Sequence, residues 1–149
     1  MKIKAANTSD AQQLTTLTLA SKSFWGYTSD QIKAWTSDLT ITTEYIRNHQ
    51  VIKLENDLKI LGYYSTYEIS STQIKLDNLF IHPSYIGKGL GKMLLKHCIQ
   101  TAKQKGVLSI ELDADPHAES FYQHFGFTTI DQIATSIPGR FLPVMALDI

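Results

Sequence analysis

At 149 residues the chain is long enough for one domain with one core, and short for two. Its 14 basic and 14 acidic residues cancel, so it lacks the basic excess on which nucleic-acid and membrane-surface binding draw. A single cysteine excludes an internal disulfide, no apolar run reaches the roughly 18 residues of a membrane span, and the opening MKIKAANTSD has no apolar signal core, so the expected setting is cytoplasmic.

MKIKAAN starts as a short strand, and Ser9 and Asp10 supply helix-start side chains. Leu14, Leu17, Thr18 and Ser21 then recur near helical spacing up to Phe24. Gly26 interrupts, and Thr28-Ser29-Asp30 restarts a helix that runs to about Leu39. A further short helix fits Thr43 to Arg47. From Val51 the pattern changes to strands. VIKLEND and LKILGYYSTYEI read as a pair with Asn56-Asp57 at the turn. Ser70-Ser71-Thr72 turns the chain into QIKLDNLFI, which completes an antiparallel meander. HPSYIGKGLGKMLL comes next and leads into a helix that ends near Gly106. VLSIELDA is a strand reached across that helix, and such strands pair in parallel by a right-handed crossover. DPHAESFYQHFGF, residues 115–127, holds a short helix opened by Asp115-Pro116 and closed by Gly126. FTTIDQIA and FLPVMALDI form a last strand pair, joined through Ile137-Pro138-Gly139-Arg140. The expectation is a single mixed α/β domain over residues 1–149 with one central parallel unit.

The glycine turn fails two phosphate-loop templates. For Walker A, Gly91-Lys92 is followed by Met93, and Ile86 stands where the earlier glycine belongs. For GxGxxG, the third glycine would fall on Lys92 or Leu94. What remains is a glycine turn opening a helix, and that is still an anion site in physical terms. The first amides of a helix lack intrahelical partners, and the helix dipole adds positive charge there. Glycines at 87, 89 and 91 let backbone approach a phosphate, and Lys88 and Lys92 add charge at the rim. Taken alone, the same residues also fit a plain connector that binds nothing. In the following helix Gly91, Leu94, Leu95, Cys98 and Ala102 share one face, which makes Cys98 a core residue rather than a nucleophile. His97-Cys98 is not a metal spacing, and no metal is expected.

Together the two stretches resemble the GCN5-related N-acetyltransferase (GNAT) family. There the pattern Arg/Gln-x-x-Gly-x-Gly binds the pyrophosphate of acetyl-coenzyme A. Gly89 and Gly91 match its glycines, and Ile86 replaces its Arg or Gln. The later family pattern, Asn-x-x-Ala-x-x-Phe-Tyr-x-x-x-Gly-Phe, is matched by Asp115, Ala118, Phe121, Tyr122, Gly126 and Phe127, with Asp in place of Asn. The resemblance covers residues 73–127 well and the rest through element order.

It implies an acyl-CoA N-acyltransferase fold in which two parallel strands, here Lys75 to Ile81 and Val107 to Asp113, splay around the pantetheine arm. Backbone at Leu79, Phe80 and Ile81 would bond that arm. Ile86, Gly87, Lys88, Gly89, Leu90, Gly91 and Lys92 would hold the pyrophosphate, with Asp115, His117, Ala118, Phe121 and Tyr122 on the coenzyme's other side. The implied reaction is direct attack of an amine on the acetyl thioester, with no covalent enzyme intermediate. Tyr122 matches the position of the general acid, and a phenol with a reference pKa of about 10 is protonated at neutral pH. Asp77 stands where relatives sometimes have a base, Glu111 is a second candidate, and Lys75 replaces a glutamate found in another group of relatives. His82 and His124 read as structural or exposed.

In this fold the loop between the first two helices and the last strand pair shape the acceptor site. Here these hold Phe24, Trp25, Tyr27 and Trp35, and Arg140, which suit an apolar amine carrying a carboxylate. They equally fit helix packing and a solvated arginine. The expected acceptor is a small-molecule amine or a peptide N-terminus, and dimerisation through the last strands is an option. Two other readings stay open: a coenzyme-binding sensor that has lost transfer, and a protein-interaction module using the SFWGY surface.

Overall fold

The computed structural model describes residues 1–149. The chain folds as two compact units, one from Met1–Thr66 and Asn78–Cys98, the other from Tyr67–Asp77 and Ile99–Ile149. The elements are β1 Lys2–Ala5, α1 Ala11–Ser23, α2 Ser29–Leu39, α3 Thr43–Asn48, β2 Gln50–Asn56, β3 Lys59–Glu68, β4 Gln73–Ile81, α4 Leu90–Gln104, β5 Ser109–Asp113, α5 Glu119–His124, β6 Thr128–Ala134 and β7 Phe141–Asp148. This is the expected mixed α/β order.

In the first unit the strand order is β1-β2-β3-β4. β1 and β2 pair antiparallel from Lys2↔Glu55 to Ala5↔Ile52, and β2 and β3 from Gln50↔Thr66 to Asn56↔Lys59. The hairpin turn is therefore Asp57-Leu58, one residue later than Asn56-Asp57, because Asn56 closes the ladder against Lys59. Both turn residues have positive φ, 50° and 68°. That is the geometry a two-residue hairpin turn demands, here without the usual glycine.

Leu14, Leu17, Ile41, Ile46, Val51, Ile60 and Tyr63 form one apolar cluster, with Phe80 packed against it. The buried residues of α1 are Leu14, Leu17, Thr18 and Ser21, the stripe expected from their spacing. Thr18 shares a hydrogen bond with the Tyr63 hydroxyl at 2.5 Å, so the polar atom in this stripe is satisfied. On the other side of β3, Gly62 makes room for α4. A Cβ there would lie 2.7 Å from Ile81 Cδ1 and 3.2 Å from Leu94 Cδ1. The Tyr64 hydroxyl meets His97 Nδ1 at 2.7 Å and fastens α4 to the strand.

An ion cluster closes the β1–β2 edge. Lys53, only 4% exposed, lies 2.8 Å from Asp10 and 3.0 Å from Glu55, and Lys4 lies 2.7 Å from Glu55. Burial alone would lower the Lys53 pKa, but hydrogen bonds and charge from Asp10 and Glu55 outweigh it and hold the ammonium above its ordinary value. The bonds from Lys4 and Lys53 hold the Glu55 carboxyl below its ordinary value.

In the second unit the strand order is β4-β5-β7-β6. β4 and β5 pair in parallel from Gln73↔Ser109 to Leu76↔Leu112, as the crossover through α4 requires. β7 pairs antiparallel with both β5 and β6. Ile110, Leu112, Phe127 and Met145 are buried here, whereas every residue of β6 is exposed. No helix of the molecule is long and apolar enough to cross a membrane.

Candidate active site

The glycine turn lies wholly in the first unit, between the end of β4 and the start of α4. A short 3-10 turn, Pro83–Tyr85, precedes it. His82 caps this turn, since its Nδ1 accepts the Ser84 N–H at 3.1 Å. Burial, and then the charge of Lys59, lower the His82 pKa, which favours the neutral ring that this cap needs. Pro83 at the first position suits the fixed φ of a helical turn. Ile86 then returns the backbone to extended geometry.

Gly87 and Gly89 both have positive φ, 85° and 81°, and a Cβ at either would project into open space. The glycines serve the backbone path and leave the approach to it unobstructed. The Gly89 carbonyl accepts the first helical bond, from Met93 N–H at 3.1 Å. The amides of Leu90, Gly91 and Lys92 therefore have no acceptor within the helix, and Gly89 has no side chain with which to cap them. These amides and the dipole of α4 suit a phosphate group.

Lys88 does not hang free at the rim. Its ammonium lies 5.2 Å from the centre of the Tyr85 ring, and the Lys59 ammonium lies at the same distance from that ring. Tyr85 and Lys59 were not evident in the sequence as parts of this turn. The local signal was an aromatic residue three positions before a lysine, but Lys59 arrives from a distant strand.

Leu79, Phe80 and Ile81 are the last residues of β4, all half-buried. Asn78 on the same strand donates to the hydroxyls of Tyr45 at 3.2 Å and Ser65 at 3.0 Å. Asp77 is exposed, while Glu111 on β5 is half-buried in register with Lys75. Lys75 pairs with Asp113 at 2.8 Å.

The second motif lies wholly in the other unit. Asp115 caps a 3-10 turn, Pro116–Ala118, which runs into α5. Its Oδ1 accepts the His117 N–H at 2.9 Å. Tyr122 is 8% exposed and packs edge-on against Phe121 and Phe127, with ring centres 5.2 and 5.6 Å away. The two edge-to-face contacts hold the Tyr122 ring in an apolar frame.

The aromatic residues after α1 divide into two pairs. Phe24 and Trp25, 52% and 43% exposed, meet edge to face at 5.1 Å. Tyr27 and Trp35 meet at 4.9 Å, and the Lys22 ammonium lies 5.1 and 5.3 Å from their centres. Arg140 faces Asp115, 3.6 Å from Oδ2. A cleft of about 410 Å³ between α1, the Asp57-Leu58 turn and His82 contains none of the residues nominated from sequence.

A family model described as Acetyltransferase (GNAT) domain matches residues 25–141. The uncharacterized N-acetyltransferase ycf52 of Gracilaria tenuistipitata var. liui is 34% identical over 70 residues, which are 47% of this chain and 38% of that protein. A ycf52-like N-acetyltransferase of Prochlorococcus marinus is 36% identical over 70 residues, 47% of this chain and 39% of that protein. The match thus spans less than two fifths of either relative. Among solved structures, the PaiA N-acetyltransferase of Thermoplasma acidophilum, in complex with coenzyme A, is similar over 99% of this chain and 98% of its own, with a TM-score of 0.82 and 21% identity. That likeness is one of fold. With most of the sequence inside the family model and the fold matched almost end to end, the chain belongs to the GNAT acetyltransferase family.

Proposed function

We propose that the chain is an acetyl-coenzyme A-dependent N-acetyltransferase, read as a single domain over residues 1–149. The observation that carries this reading is the start of α4, where uncapped amides follow two positive-φ glycines with open space before them, inside a GNAT match. Such a turn fits a pyrophosphate, so residues 86–92 hold it: Ile86, whose own N–H donates to Pro83 O, directs the backbone, the residues after it offer their amides, and Lys88 and Lys92 add charge. Ile86 contributes no polar side chain. Leu79, Phe80 and Ile81 bond the pantetheine arm through their backbone. Asp115, His117, Ala118 and Phe121 serve the same ligand from the second motif.

Bound acetyl-coenzyme A supplies an activated acetyl thioester. Tyr122 donates the proton that the departing thiolate needs, and its phenolate regains one from the nitrogen as the amide forms. Asp77 takes the proton that the ammonium acceptor must lose, directly or through water. Trp25 and Tyr27, and the turn that carries Arg140, shape the acceptor site. The acceptor is a small-molecule amine or a peptide N-terminus. The reading sets the protein in the cytoplasm, a setting that suits a lone thiol buried as Cys98. It also includes a homodimer through β6, a reading supported by that strand's full exposure and its place at the sheet edge.

Calorimetry with acetyl-coenzyme A and coenzyme A tests the coenzyme site, and thiol release with an amine panel tests transfer. Saturable heat followed by amine-dependent release is expected. Silence at millimolar coenzyme would remove the basis of the reading.

A further inference from the structure

We propose that Arg140 is a positioning residue: through its ion pair with Asp115 it fixes the opening of α5 and cancels the charge that Asp115 brings to the coenzyme segment. The inference rests on the reading of Asp115–Tyr122 as part of the coenzyme site. It reassigns Arg140, whose guanidinium otherwise suits an acceptor carboxylate.

Both partners are held by backbone within one unit. The Ala114 N–H donates to Pro143 O at 2.8 Å, which pins the residue before Asp115 to β7. Asp115 Oδ1 accepts the His117 N–H and also meets His117 Nδ1, both at 2.9 Å. Oδ2 lies 3.6 Å from Arg140 Nη2, a charge pairing longer than a hydrogen bond. The turn that presents Arg140 is closed on itself. The Arg140 carbonyl accepts from Thr135 N–H at 3.1 Å and from Thr135 Oγ1 at 2.9 Å, and the Arg140 N–H donates to Ile137 O at 3.1 Å. The two side chains are only 17% and 19% exposed, so solvent screens the pair less than it would a surface pair.

The chemistry follows from the two oxygens of Asp115. One caps the turn leading into α5, a task that a neutral amide would do equally well. The carboxylate adds a negative charge, which opposes a polyanionic ligand unless a cation answers it. Arg140 provides that cation from the β6–β7 turn. The start of the helix that carries Tyr122 is thereby tied to the turn on the acceptor side.

The test compares Arg140→Met, Arg140→Lys, Asp115→Asn and the double variant Asp115→Asn/Arg140→Met with the wild-type chain. Coenzyme A affinity is measured by calorimetry at low and high salt, amine KM by thiol release, and the thermal midpoint by circular dichroism. Arg140→Met is expected to weaken coenzyme A binding about fivefold at low salt and less at high salt, with Arg140→Lys in between. Adding Asp115→Asn to Arg140→Met should recover most of that loss, a rescue that a purely structural role would not give. Arg140→Met should lower the midpoint by about 1–3 °C, and by none in the Asp115→Asn background.

Unchanged coenzyme affinity with a raised amine KM would overturn the proposal in favour of an acceptor clamp. A double variant as weak as Arg140→Met would overturn the charge argument, and additive midpoints would overturn the pairing. If the wild-type chain binds no coenzyme, the coenzyme reading falls, and the midpoints, which need no ligand, still decide the pair.

Discussion

Two helix starts in the same unit are built on opposite principles. At α2, Thr28 Oγ1 accepts the Gln31 N–H at 3.1 Å, and Gln31 Oε1 accepts the Thr28 N–H at 3.0 Å. The end is closed by a reciprocal box. At α4 the capping position is Gly89, with positive φ and no side chain. The chain there forgoes the side-chain oxygen that a serine or threonine would offer these amides, at a cost of only a few tenths of a kcal/mol for glycine. A helix start left open by its own sequence is one whose amides are available to something else. The difference is local and chemical: one end is closed by its own side chains, and the other leaves its amides open to the ligand proposed for it.

The sharpest way to break this contrast is to close the open end. Gly89→Asp places a carboxylate among the amides, in a conformation that disfavours any Cβ. It should weaken coenzyme A binding about 100-fold or more in calorimetry, the loss expected from two charge-assisted bonds. If affinity survives, the amides of α4 are not the phosphate site. The next effect belongs to the other motif. Tyr122→Phe should lower kcat about 100-fold in thiol release while coenzyme A affinity stays within twofold. An unchanged kcat would leave a bystander tyrosine, and no measurable turnover even in the wild type would favour a sensor.

Opening the closed end should behave differently. Thr28→Ala is expected to cost about 1 kcal/mol in urea unfolding and to leave coenzyme affinity unmoved. A loss of binding there would erase the distinction between the two ends. The smallest effect extends the contrast to the other self-satisfied group, the Lys4–Glu55–Lys53–Asp10 cluster. The Glu55 carboxyl is held low in the folded chain, so it stabilises the fold above the ordinary carboxylate range. That contribution is lost as the pH falls through the depressed folded value. Glu55→Gln should flatten the acid limb of a stability–pH profile, and an unaltered limb would show that the cluster contributes nothing to it.

Much of the fold was legible because its determinants are local or periodic. Leu14, Leu17, Thr18 and Ser21 carried helical spacing, and all four are buried. The β2–β3 turn slipped by one residue because Asn56 is as good a turn former as Asp57, and only the ladder partner Lys59 decides between them. The glycine turn was legible in kind, since glycine permits the positive φ found at 87 and 89, although Gly62 and Gly91 do not use that freedom. The second cation on the Tyr85 ring was not, because Lys59 reaches it only after β3 and β4 are laid side by side. Arg140 is visible in the sequence as a charge in the β6–β7 turn, but its partner Asp115 lies in a distant segment and no spacing rule links them. Lys22 was unremarked for the same reason, although it lies over both Tyr27 and Trp35.

Cys98 gives the molecule a practical property. It is the only cysteine, it is 2% exposed, and burial pushes its thiol up to about 12. Almost no thiolate exists on the folded chain at neutral pH, so colour-forming disulfide reagents have nothing on the protein to titrate. In an assay that counts liberated thiols, the background from the protein is close to zero until it unfolds.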